Sequence, residues 1–79
     1  MSQVTRGTIA RIPIDRETQA RRGFFFITLA DGEQDVFAYR NGMQWTSSKQ
    51  FDDLRVGDEV EFILIAGEKG PKAIEIRTL

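Results

Sequence analysis

Three consecutive phenylalanines in the stretch RRGFFFIT (residues 21–28) constrain this chain more than any other feature. On a β-strand the side chains alternate between two faces, so Phe24 and Phe26 share one face while Phe25 and Ile27 share the other. One face can enter a hydrophobic core, and the other must present two large rings to solvent or to a ligand. A small domain rarely leaves such a pair exposed without a use for it. The stretch therefore predicts a strand with one functional face.

The residue inventory limits the classes of protein that can contain this strand. Seventy-nine residues suit one small domain (residues 1–79), and 41% hydrophobic with 29% charged residues is typical of a globular chain. Cysteine and histidine are absent, which removes thiolate ligands, the commonest general base and the commonest metal ligand. We therefore expect no enzyme, no metal site and no cofactor. No apolar run is long enough to span a membrane and no signal-peptide pattern is present, so we expect a cytoplasmic protein without membrane contact.

The remainder of the chain consists of short segments with strand character, separated by turn signals. Five strands are predicted, and they span residues 4–12, 23–29, 35–39, 59–66 and 72–79. Asp31-Gly32 is a hairpin signal, and Gly7 predicts a bulge or bend in the first strand. We expect a mobile, charged loop at residues 14–21, a long connection at 41–53 and a loop at 67–71.

Five short strands with turn signals about every 8–12 residues favour a β-barrel or a β-sandwich. At this length an all-β, closed, five-stranded antiparallel barrel of the OB type is the economical solution, because closure leaves no exposed strand edge. Alternation in the fourth strand predicts that Val60, Phe62 and Leu64 point inwards. In the fifth strand, Ile74 and Ile76 are predicted to point inwards.

Antiparallel pairing of the second and third strands would bring four aromatic rings onto one outer face. These rings belong to Phe24, Phe26, Phe37 and Tyr39. Basic side chains are expected around the rings, namely those of Arg11, Arg22, Arg40 and Lys72. The inner face of the same two strands offers apolar residues to the core.

Such a face suits unpaired nucleic-acid bases. Stacking on aromatic rings tolerates any base and contributes roughly 1–3 kcal/mol per base, while basic side chains hold the phosphates. The whole chain has a net charge of −1, but residues 1–30 have a net charge of +3 and the remainder −4. Positive charge therefore accompanies the phenylalanines. The open alternative is that the rings are ordinary core residues and the charges an ordinary solvated surface.

Two motifs and several shorter matches resemble the cold-shock domain family. RGFFFIT (residues 22–28) is similar to the family's first RNA-binding motif, K/R-G-F/Y-G-F-I, and DVFAYR (residues 35–40) to its second, D-V-F-V-H-F. GTI at 7–9, LRVGDEVEF at 54–62 and GEKGPKA at 67–73 follow in the family's order. The resemblance covers essentially the whole chain. It implies an OB-fold barrel that binds single-stranded RNA or DNA, melts or prevents RNA secondary structure, and acts in cold adaptation or regulation of expression.

The resemblance also implies roles for individual residues. The stacking aromatics of the two motifs match Phe24, Phe26, Phe37 and Tyr39, the last in place of a histidine. Arg22 matches the basic residue that opens the first motif. Phe51 resembles the aromatic residue of the family's long loop. Lys69 and Lys72 lie in a loop region that often contacts the bound strand.

The sequence departs from the family pattern at several positions. Residues 10–13 replace the usual lysine, tryptophan, phenylalanine and asparagine, so a principal stacking tryptophan is missing; Arg11 offers a guanidinium plane instead. The loop at 14–21 is several residues longer than usual. Phe25 replaces the glycine of the first motif and adds bulk to the inner face, and Arg40 replaces a surface phenylalanine. These departures predict fewer stacking sites and more charge.

Two functional hypotheses remain open. The first is a single-stranded RNA- or DNA-binding protein, an RNA chaperone or expression regulator that is a monomer or a weak homodimer. The second is an OB-fold module for protein–protein interaction that has lost part of the nucleic-acid site, which the missing tryptophan and exposed Ile63 and Ile65 favour. Trp45 has no firm family equivalent and is either a replacement stacking residue or a cap on the end of the barrel.

Overall fold

The five predicted strands all form, with ends that differ from the prediction by no more than two residues. A computed structural model describes residues 4–30, 32 and 34–79. The strands are β1 (Val4–Arg11), β2 (Phe24–Leu29), β3 (Asp35–Tyr39), β4 (Glu59–Gly67) and β5 (Gly70–Thr78). Asp31 of the predicted hairpin lies outside the described residues, whereas Gly32 has the positive φ, +77°, that such a turn needs.

The strands close into a barrel in the order β1-β2-β3-β5-β4, with β4 pairing back onto β1. This confirms the predicted closed, five-stranded, all-β barrel. One seam departs from the antiparallel description, because β3 and β5 run parallel, with Phe37 opposite Lys72 and Ala38 opposite Ala73. A closed ring with an odd number of strands cannot alternate in direction at every seam, so one parallel pair is unavoidable.

The predicted inner face of β2 and β3 forms one wall of the core. Phe25, Ile27, Val36 and Ala38 are completely buried. Among the described residues, the core comprises Ile9, Phe25, Ile27, Val36, Ala38, Phe51, Leu54, Val60, Phe62, Ala73 and Ile76. Because burying a phenylalanine contributes about 1.5–3 kcal/mol, Phe25 adds stability at a position where the cold-shock pattern has glycine.

The inward positions predicted for β4 and β5 are correct only in part. Leu64 is 38% exposed; in the described residues β1 pairs with β4 as far as Ile63, and from Leu64 onwards β4 pairs only with β5. In β5, Ala73 takes the inward position and Ile74 is half-buried. The β4–β5 pairing is irregular at Glu75, and this irregularity returns Ile76 to the core.

Gly7 is required for a close approach between strands and not for the predicted bulge. A Cβ atom at Gly7 would lie 2.6 Å from both the Ile27 Cγ2 and the Thr28 carbonyl oxygen. The irregularity of the β1–β2 ladder falls instead between Ile9 and Arg11. Gly7 therefore lets β1 pack tightly against β2, the strand that contains the phenylalanines.

Two connections frame the barrel. The charged loop forms a small hairpin in which Ile14 bridges Arg21 and the Asp15 N–H donates to the Ala20 carbonyl at 2.7 Å. The long connection contains two 3-10 helices, Arg40–Gly42 and Phe51–Asp53. Within the described residues no helix is long and apolar enough to cross a lipid bilayer.

Candidate nucleic-acid interface

The β2–β3 ladder places four aromatic rings on the outer face of the barrel. Phe24 pairs with Tyr39 and Phe26 pairs with Phe37, so the rings are direct cross-strand neighbours. The Phe24 and Phe37 rings are stacked, with centroids 5.4 Å apart and planes 21° apart. Phe37 also contacts Phe26 and Tyr39 edge-to-face, at 5.5 and 4.6 Å. We call these four residues the aromatic platform.

The platform differs sharply in burial from the residues that alternate with it. Tyr39 is 38% exposed and the three phenylalanines are half-buried, whereas Phe25 and Ala38 between them are fully buried. The core is thus complete without the platform rings. The alternative that the rings are core residues is therefore wrong, because they lie outside a barrel whose interior is already filled.

A basic side chain lies over each of three platform rings. The Arg11 Cζ is 5.4 Å from the centroid of the Phe26 ring. The Lys69 Nζ is 5.8 Å from the centroid of Phe37, and the Lys72 Nζ is 4.9 Å from that of Tyr39. Arg11 is in β1, Lys69 is in the β4–β5 turn and Lys72 is in β5. Three separate elements therefore bring positive charge to the platform.

Two open clefts lie between the platform and the β4–β5 hairpin. One has a volume of about 410 Å³ and is lined by Phe37, Tyr39, Lys72 and residues 65–70. The other, about 330 Å³, is lined by Arg11, Phe26, Asp35, Phe37, Lys69 and Pro71. Phe37 and Lys69 line both clefts. The hairpin that extends beyond the barrel thus forms a wall beside the rings.

Arg22 and Arg40 lie at the Tyr39 end of the platform. Arg22 directly precedes Gly23, and the Arg40 N–H donates to the Gly23 carbonyl at 2.8 Å. Gly23 has a φ of +93°, a backbone conformation that side chains rarely adopt. Both arginines are exposed. The Arg40 Cζ lies 5.3 Å from the centroid of the Phe51 ring, so this guanidinium rests on a buried ring.

Phe51 is not available to stack on a base, and the prediction that it contributes to the interface is corrected. It is 4% exposed, and its ring packs 5.8 Å from that of Phe25. The large Phe25 side chain, present in place of a glycine, supplies the surface against which Phe51 packs. Residue spacing along the loop does not reveal this contact, because it joins two distant parts of the chain.

Trp45 is the aromatic residue of the long loop that is open to solvent. It is 89% exposed, so the hypothesis that it caps the barrel is wrong. The Gln50 Nε2 donates to the carbonyls of Gln44, Trp45 and Ser47 at 3.1–3.3 Å, which gives the loop a defined shape. A cleft of about 330 Å³ that is lined by Tyr39, Gln44 and Lys72 runs from the platform to the residue before Trp45. In the sequence, the feature that marks Trp45 as a candidate stacking residue is that it is a lone tryptophan in a polar loop.

The fold and the site together define an OB-type barrel with an aromatic, cation-flanked outer strand face. The family model of the 'Cold-shock' DNA-binding domain matches residues 17–79. The chain therefore belongs to the cold-shock domain family, and it is a nucleic-acid-binding protein of the cold-shock type. Residues 4–16, with the divergent end of β1, lie before the matched segment.

Similar proteins and structures agree with this assignment. Cold shock-like protein CspB of Yersinia pestis is 40% identical over 60 residues, which are 76% of this chain and 81% of that protein. CspC of Escherichia coli K12 is 40% identical over 58 residues, which are 73% of this chain and 80% of that protein. A structure of drosophila Unr CSD456 aligns with 99% of this chain at a TM-score of 0.71 and 27% identity, and the chain spans about a quarter (27%) of that longer protein.

Proposed function

We propose that this protein binds single-stranded RNA or DNA by stacking bases on the aromatic platform, and that it acts as an RNA chaperone or regulator of expression. Arg11, Arg22, Arg40, Lys69 and Lys72 hold the phosphates in this proposal. The observation that supports it most strongly is that four adjacent rings lie outside a complete hydrophobic core.

The energetics favour unpaired bases over a duplex. A base in a single strand has a free π-face, and each base stacked on a ring contributes roughly 1–3 kcal/mol. In a duplex the same face is already stacked on the neighbouring base pair. A face that stacks bases therefore shifts the equilibrium towards unpaired strands, which is the activity required of an RNA chaperone. Trp45 is a further candidate for stacking because its ring is exposed.

The alternative function is a module for protein–protein interaction. Ile65 is exposed, as predicted, and so is Leu64, whereas Ile63 is half-buried. The two exposed side chains on the β4–β5 hairpin favour this alternative, since exposed apolar patches mark interaction sites. In this alternative a partner or a second copy of the chain covers the apolar surface. Gel filtration that gives a dimer, with no binding of oligonucleotide, supports the alternative and contradicts the main proposal.

A Phe26 series tests the proposal. We expect Phe26→Ala to weaken the binding of a labelled oligo-dT by roughly 1–3 kcal/mol, because one stacking ring is lost. Phe26→Tyr is the matched control, and we expect its affinity to stay near that of the parent because the ring remains. Affinity is measured by fluorescence anisotropy at two salt concentrations, and Trp45 quenching reports whether the long loop is close to the ligand.

The fold of each variant is checked by thermal unfolding. Since Phe26 is half-buried outside the barrel, we expect Phe26→Ala to retain a cooperative unfolding transition. An Ala variant that binds oligo-dT as tightly as the parent contradicts the proposal. Loss of the fold in Phe26→Ala would place Phe26 in the core and would equally contradict the proposal.

A further inference from the structure

Three of the four platform rings are covered by cations in the free protein. Arg11 lies over Phe26, Lys69 over Phe37 and Lys72 over Tyr39, at 4.9–5.8 Å from the ring centroids. In the described part of the chain Phe24 has no such cover, and it stacks instead on Phe37. Each of the three covered rings thus has one basic side chain above it.

A cation above a ring and a base above the same ring compete for the same surface. The cation is attracted by the negative face of the ring, an interaction of about 0.5–1 kcal/mol at an exposed site. A base that stacks there must displace the ammonium or guanidinium group. Displacement costs little when the group moves to a phosphate of the same ligand, because a charge–charge contact replaces the cation–π contact.

The arrangement of the clefts favours such an exchange. Lys69 lines both clefts beside the platform, and it belongs to the exposed two-residue turn between Gly67 and Gly70. In the described residues neither Lys69 nor Lys72 forms an ion pair with a carboxylate. Lys49, by contrast, is held by Asp58 at 3.1 Å. In the described residues the ammonium groups of Lys69 and Lys72 therefore contact the rings of Phe37 and Tyr39, and they are available to bind a phosphate.

We propose that Lys69 and Lys72, with Arg11, are specificity determinants. Each lies over a platform ring in the free protein and leaves the ring only for a ligand whose charged backbone offers it a phosphate. This inference rests on the proposed function, since it assumes that bases stack on the platform. A polyanionic strand displaces the covers and binds them through its phosphates. An uncharged aromatic ligand must displace them without this compensation. The covers therefore select single-stranded nucleic acid and disfavour an apolar protein partner on the same face.

The test compares two ligands with the same bases and different backbones. One is oligo-dT, and the other is a thymine peptide nucleic acid of equal length, whose backbone is uncharged. Lys69→Gln/Lys72→Gln removes two covers. Arg16→Gln/Arg55→Gln is the control, because it removes the same charge from exposed side chains that lie over no platform ring.

We expect the lysine variant to bind the uncharged oligomer more tightly than the parent. Loss of each cover corresponds to about a two- to fivefold gain, the equivalent of one exposed cation–π contact. The same variant should bind oligo-dT more weakly at low salt. The magnitude of the negative slope of log affinity against log salt should decrease by about 0.7 for each lost phosphate contact. The arginine control should show no gain for the uncharged oligomer.

The outcomes separate this inference from the proposed function. If parent protein binds oligo-dT and Phe26→Ala weakens it, but the lysine variant binds the uncharged oligomer no better than the parent, the covers do not compete and the inference is overturned. If the parent binds no oligo-dT at all, the proposed function itself fails.

A spectroscopic readout is independent of affinity. In the free protein, ring currents should shift the ε-methylene protons of Lys69 and Lys72 upfield relative to those of Lys49. Addition of oligo-dT should return them towards the Lys49 position. Shifts for Lys69 and Lys72 that match Lys49 in the free protein would overturn the inference.

Discussion

At the scale of the residue, Arg21 shows how one side chain supports the platform from behind. Its guanidinium donates to the carbonyl oxygens of Phe51 and Leu54, and its Cζ lies 5.6 Å from the centroid of the Phe51 ring. Arg40 rests on the same ring. The planar fork of an arginine can bond to two carbonyls while its face stacks on a ring, which a lysine cannot do.

We therefore predict that Arg21→Lys destabilises the protein. The expected loss is about 1–2 kcal/mol of unfolding free energy, because hydrogen bonds from a charged donor to two half-buried carbonyls are broken or weakened. Urea denaturation measures the change. Arg22→Lys is the matched control, since Arg22 is exposed, and its effect should stay within about 0.5 kcal/mol. Equal effects for the two neighbours would contradict the role assigned to Arg21.

At the scale of the element, the β4–β5 hairpin combines two functions. Its inner half closes the barrel, with Val60, Phe62 and Ile76 in the core. Its other half pairs with β3 at Lys72 and Ala73, continues into the turn, and presents Lys69 and Lys72 to the rings. The change between the two halves falls at Glu75, whose φ of +50° interrupts the two-residue alternation of β5. Without this irregularity, Ala73 and Ile76 would point to opposite faces.

Substitutions at Glu75 test this interpretation. Glu75→Val should lower the unfolding free energy by about 1–2 kcal/mol, because a β-branched residue tolerates a positive φ poorly. Glu75→Gly removes the same charge and accepts the same backbone conformation, so it should be nearly as stable as the parent. Thermal or urea unfolding of the pair gives the difference. A valine variant as stable as the glycine variant would show that Glu75 does not need this conformation.

At the scale of the whole molecule, basic side chains are proposed to contact the ligand, while at least one acidic side chain stabilises the fold. The chain is slightly acidic, yet its basic side chains include the five proposed to contact phosphate. Asp58 is one of the acidic residues with a structural role. Its carboxylate accepts the Arg55 N–H at 2.9 Å and the Lys49 ammonium at 3.1 Å. The Asp58 carbonyl also accepts the Ile9 N–H, so this residue joins β1 to the loop before β4.

These contacts predict a pH dependence of stability. The hydrogen bond from the Arg55 N–H, and after it the Lys49 ammonium, lowers the pKa of Asp58 below its ordinary value. Because the folded pKa is the lower one, the stabilisation is fully present above the unfolded pKa and is lost as the pH falls through the folded pKa. Asp58→Asn should therefore be less stable than the parent at pH 7, and the difference should shrink as the pH falls below the unfolded Asp pKa of about 3.9.

Urea unfolding at pH 7 and pH 3 checks this expectation. Asp53→Asn removes the same charge from an exposed side chain and serves as the control. Some acid sensitivity should persist in Asp58→Asn, since hydrogen bonds from Thr18 and Glu17 also lower the pKa of Asp15. A difference between Asp58→Asn and the parent that is the same at both pH values would contradict the argument.

Much of the architecture was predictable because it depends on local pattern. Alternation assigned Phe25 to the core and Phe24 and Phe26 to the outer face. The short spacing between β2 and β3 predicted that these two strands pair. The motifs on these strands also indicated the family. These features need only the two-residue period of a strand and a short turn, both of which are visible in the amino-acid order.

Tertiary structure alone decided which loop aromatic is buried and which cations meet the rings. Phe51 packs in the core and Trp45 is exposed, although the two lie in one polar connection. Lys69 reaches Phe37 only because barrel closure places β5 beside β3. Such contacts join residues far apart in the chain, and local alternation does not encode them. The phenylalanine stretch thus determined the platform, and closure of the barrel determined what covers it.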